Sequence, residues 1–172
     1  MSLIQRIFGG SRDRAALDPL YRAIVAVARD PLWYRDGGVP DTIDGRFDMV
    51  AALTALVLLR LECEGAAARD AEVLLTELFI DDMDASLRQI GVGDYVVGKH
   101  VGRMMSALGG RLTAFRAAAE DALDQPVRRN IFRDAPPSEE AVAFVAARLA
   151  DFRRRLSEAS LADLLAGGLP TP

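Results

Sequence analysis

The sequence predicts an all-α fold, and three observations carry that expectation. Hydrophobic residues make up 51% of the 172-residue chain against 27% charged, and the apolar share is rich in Ala and Leu, which favour helices over strands. Apolar positions recur at steps of three and four along most of the chain, the repeat of one helix face. Capping residues and prolines stand where such runs begin. A chain of this length supports one well-buried core. The expected architecture is therefore a single compact domain over 13–166, with about six to eight helices around a central apolar helix at residues ~45–62.

Taken in order, Leu3, Ile4, Ile7 and Phe8 form a short amphipathic segment over 1–12 that ends at "GGS". Asp18 then reads as a cap and Pro19 as the first helical residue of a helix whose stripe is Leu20, Ile24, Val27 and Ala28. The stretch "DPLWYRDGGVPDTIDGRFDMV" reads as a long loop around Trp33 and Tyr34, closed by Asp44 as the cap of the central helix. Phe47 to Leu61 is apolar on nearly every face, which places the core there. From about Ala66 a helix continues with Val73, Leu74, Leu78, Phe79 and Met83 inward, and a bend or break is expected near the aspartates. Another long helix starts at Asp94 and carries Val97, Val101, Met104, Leu108, Leu112 and Phe115. Gly102, Gly109 and Gly110 within it are expected to permit close helix contact. Pro126 opens a short helix with Arg128, Arg129 and Arg133. Ser138 caps the last long helix, with Val142, Val145, Leu149, Phe152 and Leu156 inward, and the tail 167–172 is expected to fray.

Net charge is −4, divided as −6 over residues 1–94 and +2 over 95–172, so DNA is not an expected partner while the C-terminal half suits an anionic one. Cys63, the lone cysteine, lies in an apolar run and is expected to be buried. The longest apolar run, Met49 to Leu59, is about half the ~20 residues of a membrane span, and no signal peptide is evident at the N-terminus.

One segment concentrates chemistry: "DDMDASLRQIGVGDYVVGKHVGRM", residues 81–104, holds four aspartates, four glycines and the chain's one lysine and one histidine. A calcium loop fails because no closing acid follows Asp82 and Asp84, and one cysteine with one histidine cannot build a zinc or di-iron site. No metal or other cofactor is expected. His100 has no nucleophile motif beside it, and "GVG" follows no strand, so no catalytic residues are expected and the protein is not an enzyme. Gly91, Gly93 and Asp94 read instead as a structural corner that stops one helix and caps the next. Asp81, Asp82 and Asp84 stand near a helix C-terminus, where negative charge opposes the dipole. They call for a cation, with Arg88 and Arg46 as the candidates.

The motifs "GGVPDTIDGRFDMV", "RLE", "FIDDMDASLRQIGVGDYVVGKHVGRM" and "GRLTAF" together resemble the ubiquinol–cytochrome c chaperone family, the assembly factors of the cytochrome bc1 complex, from about Tyr21 to Phe115. Gln89, Thr54 and Gly109 depart from its pattern. The resemblance implies an all-helical protein that binds newly made cytochrome b, near the ribosome exit region and with a second assembly protein. With no transit peptide evident, a bacterial cytoplasmic member working peripherally at the inner membrane is the expected form. Such a protein needs docking surfaces rather than a reaction centre. Asp41, Asp81, Asp82 and Asp84 are the candidates for meeting basic flanks of the client, and Lys99, Arg103, Arg111 and Arg116 for meeting lipid head groups or ribosomal RNA, with Arg46 and Arg88 counted beside the aspartates among the partner-binding candidates. The alternative is a non-catalytic helical protein that binds a quinone- or haem-related small molecule near Trp33, Tyr34 and His100.

Overall fold

The computed structural model describes residues 3–89, 94–119, 121–133 and 137–171, with the side chains at 3–13, 87, 89 and 94–101 outside that description. Eight α-helices and one 3-10 turn occur among the described residues: α1 (Leu3–Ala28), α2 (Pro31–Arg35), α3 (Ile43–Glu62), the 3-10 turn Gly65–Ala67, α4 (Arg69–Gln89), α5 (Asp94–Ala117), α6 (Asp124–Asn130), α7 (Glu139–Glu158) and α8 (Leu161–Leu165). The fold is all-α, as expected. Helix α3 is the centre: its residues Met49 to Leu58 are all buried, and α1, α4, α5 and α7 pack around it. An apolar run without a polar face must be covered on every side, and four neighbours do so.

The first helix departs from expectation. No break occurs at "GGS", and α1 runs unbroken from Leu3 with Pro19 inside it. A proline in a helix interior costs ~3 kcal/mol, and the burial of Leu17, Leu20, Tyr21, Ile24 and Ala28 against the core offsets that cost. Asp18 is consequently not a cap; it pairs with Arg22 one turn on, at 2.6 Å.

The expected loop contains α2, whose cap is Asp30: its Oδ1 accepts from the Leu32 N–H at 2.9 Å. The cap of α3 is Thr42, whose Oγ1 accepts from the Gly45 N–H at 3.1 Å, while Asp44 sits in the first turn. Gly45 is there for space. A Cβ at that position would stand 1.9 Å from the Pro40 carbonyl oxygen, so the chain entering α3 passes too close for any side chain.

Helix α4 continues unbroken through Asp81, Asp82 and Asp84 to Gln89. Its buried stripe is Leu75, Phe79 and Met83, and Val73 faces outward at 54% exposure. The steps 75, 79 and 83 fix one face, and 73 lies well round the helix from it. Phe79 meets Phe47 of α3 with ring centroids 6.0 Å apart. Cys63 is exposed rather than buried, because α3 ends at Glu62 and the chain turns outward there.

The expected corner lies between the last described residue of α4, Gln89, and the first of α5, Asp94. Gly91 and Gly93 lie outside the described residues. Leu108 and Phe115 of α5 are buried, but a Cβ on Gly102, Gly109 or Gly110 would meet nothing within 4 Å among the described residues, so these glycines serve no close contact with them. Ser138 caps α7, accepting from the Ala141 N–H at 3.1 Å. The C-terminal segment is anchored rather than frayed. Gly167, at φ +89°, lies so close to the Pro19 carbonyl that a Cβ would stand 2.9 Å from it, and Leu169 packs on the core.

Candidate client-binding surface

The residues singled out from the sequence divide into three groups. In the first, the aspartate edge is turned partly inward. Asp81 accepts from Arg14 of α1 at 2.8 Å, and Arg14 also reaches Glu77 at 2.7 Å. The Tyr21 hydroxyl donates to Asp82 at 2.8 Å. Burial, reinforced by the neighbouring carboxylate, raises the Tyr21 phenol well above its ordinary pKa. Asp84 pairs with Arg88 one turn on at 2.8 Å. The cations at this edge are therefore Arg14, on Asp81, and Arg88, on Asp84, while a hydroxyl holds Asp82, and the edge joins α4 to α1.

In the second group, Asp41 and Arg46 pair with each other at 2.7 Å across the start of α3. They border an open cleft of about 530 Å³ that also holds Arg29, Pro31, Tyr34 and Arg35. This is the neighbourhood expected for a small molecule, yet its aromatic groups are already committed. Trp33 is wholly buried and donates its indole N–H to the Val27 carbonyl at 2.8 Å. The Tyr34 hydroxyl donates to the Ala28 carbonyl at 2.7 Å, and burial pushes its pKa up to about 12. Arg35 is paired with Asp36. The side chains of Lys99 and His100 lie outside the described residues, as does that of Asp94.

The third group corrects the basic-surface expectation. Arg103 is exposed, but Arg111, expected to meet an anionic partner, is 2% exposed. It donates to Asp48 at 2.5 Å and to the Asn130 carbonyl at 2.5 Å. Arg133 donates to the same carboxylate at 2.8 Å and 2.9 Å. Its charge satisfied, Arg111 is unavailable for docking. Burial is the leading influence on Asp48 and lifts its pKa to about 6 against the pull of both arginines, and burial likewise draws Arg111 below the ordinary arginine range. Arg116 grips Glu62 at 2.7 Å and 2.8 Å, fastening α5 to the end of α3.

Sequence reasoning missed this network, though a signal was present. The step from Leu108 to Arg111 to Phe115 places the arginine on the buried face of α5, and Asp48 interrupts the apolar central helix. Each is a buried charge in need of a partner. Missed too were the arginines that close helix ends: Arg60 donates to the Leu156 and Ala159 carbonyls at the end of α7, and Arg153 to those of Phe115 and Ala118 at the end of α5.

What remains unoccupied is the outer side of α5. With α6 it walls an open groove of about 740 Å³ lined largely by Gly, Ala and Thr. Among the described residues, no cluster of acids, His and Cys could hold a metal ion, and no helix is long and apolar enough to cross a membrane. The geometry offers surfaces for another macromolecule.

The model of the family described as "Ubiquinol-cytochrome C chaperone" matches residues 35–171. The chain belongs to that chaperone family. The match begins later than Tyr21 and extends well past Phe115, so α6, α7 and α8 are part of the family's domain and not an addition to it. The crystal structure of the Cbp3 homolog from Brucella abortus is similar to this chain at 29% identity, with a TM-score of 0.78 over 99% of this chain and 97% of that one. No curated protein matches the sequence. The correspondence over nearly the full length of both chains extends the shared fold to α1, which the family match does not reach.

Proposed function

We propose that this protein is an assembly chaperone that binds newly made cytochrome b and holds it for assembly of the ubiquinol–cytochrome c reductase complex. The observation that carries the reading is the family match over residues 35–171, joined to a surface whose open features are a groove and paired charges rather than a reaction centre. A chaperone acts by covering apolar surface of its client, and that work needs no bond to be made or broken. The protein performs no catalysis. It works at the cytoplasmic, inner face of a bacterial membrane, held there peripherally and acting on a segment as it leaves the ribosome exit region; a second assembly protein and lipid head groups are further partners.

The test is recovery of apo-cytochrome b with the tagged protein from membranes actively making the bc1 complex. Specific enrichment of apo-cytochrome b over other membrane subunits is expected. Its absence, with the tagged protein intact, sinks the reading. The acidic edge has its own test in Asp81→Lys, Asp82→Lys and Asp84→Lys. Because Asp81 and Asp82 also tie α4 to α1, the readout is client capture per folded molecule, and unchanged capture shows that the edge is structural only.

A further inference from the structure

The outer side of α5 breaks a local rule without any compensation inside the fold. Glycine is the residue that helices tolerate least after proline, yet Gly102, Gly109 and Gly110 stand where a Cβ would meet nothing within 4 Å among the described residues. Departures of this kind concentrate where a protein meets something else. The neighbouring hydroxyls are turned back onto the helix: Ser106 donates to the Gly102 carbonyl at 2.9 Å and Thr113 to the Gly109 carbonyl at 3.0 Å. Neither projects an unsatisfied donor. Met105, one turn from both Gly102 and Gly109, is 41% exposed on the same side and supplies an adaptable apolar contact.

This surface is concave because α6 folds back beside it. The bond from Arg111 to the Asn130 carbonyl, at 2.5 Å, sets the end of α6 against the middle of α5, so the two helices run in opposite senses and the loop between them closes one end of the groove. Charge is distributed along it unevenly. Asp121 and Asp124 are exposed at the loop end, while exposed Arg129 lines the groove and exposed Arg103 lies beyond it towards the start of α5. These four charges make no ion pair with one another or with any other described residue.

We propose that this groove docks one apolar helix of the membrane-subunit client, packed closely on α5 and running antiparallel to it. The basic flank preceding that helix meets Asp121 and Asp124, and its C-terminal carbonyl end meets Arg129 and Arg103. This rests on the chaperone reading above and names the client's face. A helix can approach α5 closely only where side chains are small. Its dipole, positive at the N-terminus, matches the order of charge along the groove, and cytoplasmic flanks of membrane helices are rich in Lys and Arg.

The experiment compares capture of newly made cytochrome b by the wild type, by Gly110→Leu with Ala117→Leu, and by Asp121→Lys with Asp124→Lys. Replacing an open helical glycine improves helix propensity, so the groove-filling variant is expected to hold or raise its Tm by about 2–4 °C while capture falls about tenfold or more. A purely structural role for these positions does not move stability and capture in opposite directions. The charge-reversed variant is expected to lose binding to a synthetic apolar helix with a lysine N-terminal flank and to gain it for one with a glutamate flank. A groove-filled protein with an undiminished Tm and wild-type capture overturns the inference and leaves the chaperone reading standing. If the wild type captures no cytochrome b, both fall. Unaltered flank preference in the charge-reversed variant refutes the proposed orientation.

Discussion

Two groups of aspartate in this molecule are alike in chemistry and opposite in circumstance. Asp48 lies under α5 at 3% exposure and holds two guanidinium groups. Asp81, Asp82 and Asp84 line the outer part of α4, where Arg14 and Arg88 reach Asp81 and Asp84 from half-solvated positions and only Tyr21 reaches Asp82 from a buried one. Water screens the second group and not the first, so an interaction of the same kind is decisive in one place and marginal in the other. The density of charge along a sequence is thus a poor guide to where charge matters. Isolation among apolar residues is the better one.

The largest expected effect lies at the buried end of that comparison. Asp48→Ala leaves Arg111 charged and unpaired in the core, and it is expected to lower unfolding free energy by about 3–5 kcal/mol in denaturant titration. A loss under about 1 kcal/mol, the usual range of surface pairs, erases the contrast between the two groups.

Next in size is Tyr21→Phe, which removes the one contact of the aspartate edge made by a buried side chain. A hydrogen bond to a charged group is worth roughly 1.5–3 kcal/mol, and the half-buried position of Asp82 puts the expected cost near the lower figure. Arg14→Ala comes third. Its pairs are about half exposed, so about 1 kcal/mol or less is expected, fading further at high salt; a salt-independent loss places Arg14 with Asp48 instead.

The comparison also has a pH signature. The folded-state pKa of Asp48 is raised to about 6 from 3.8, so the folded protein holds this proton more tightly than the unfolded chain. Its contribution to stability is fully present below about pH 4, declines as pH rises towards 6, and is level above that. The difference in unfolding free energy between wild type and Asp48→Asn, followed from pH 4 to 7, is expected to show that slope. A difference that grows more favourable to wild type as pH rises reverses the sign and overturns the assignment of burial as the leading influence.

Much of the fold was legible in the sequence because helical periodicity and caps are local. The central helix and the Ser138 cap both follow from spacing and residue type over a few positions. The misreadings share one cause. Asp18 with Pro19, and "GGS" before them, read locally as a helix start, yet the core contacts of Leu17, Leu20 and Ile24 carry α1 through both. Thr42 rather than Asp44 caps α3 because the close approach of Pro40 to Gly45 fixes where the chain enters the helix. Val73 and Cys63 are apolar neighbours in sequence that the turn of the backbone leaves outside.

The candidate surface was less legible than the fold. By itself the sequence determined that the protein is helical, that its core is residues ~45–62, and which family it resembles, since propensity, periodicity and motif identity need no knowledge of distant contacts. Only the tertiary structure decided that Arg111 belongs to Asp48 instead of a partner, that Asp81 and Asp82 fasten α4 to α1, and that Gly109 and Gly110 face an open groove. Each of those depends on which residues more than sixty positions apart, or on neighbouring helices, share a space, and on how much water is left between them.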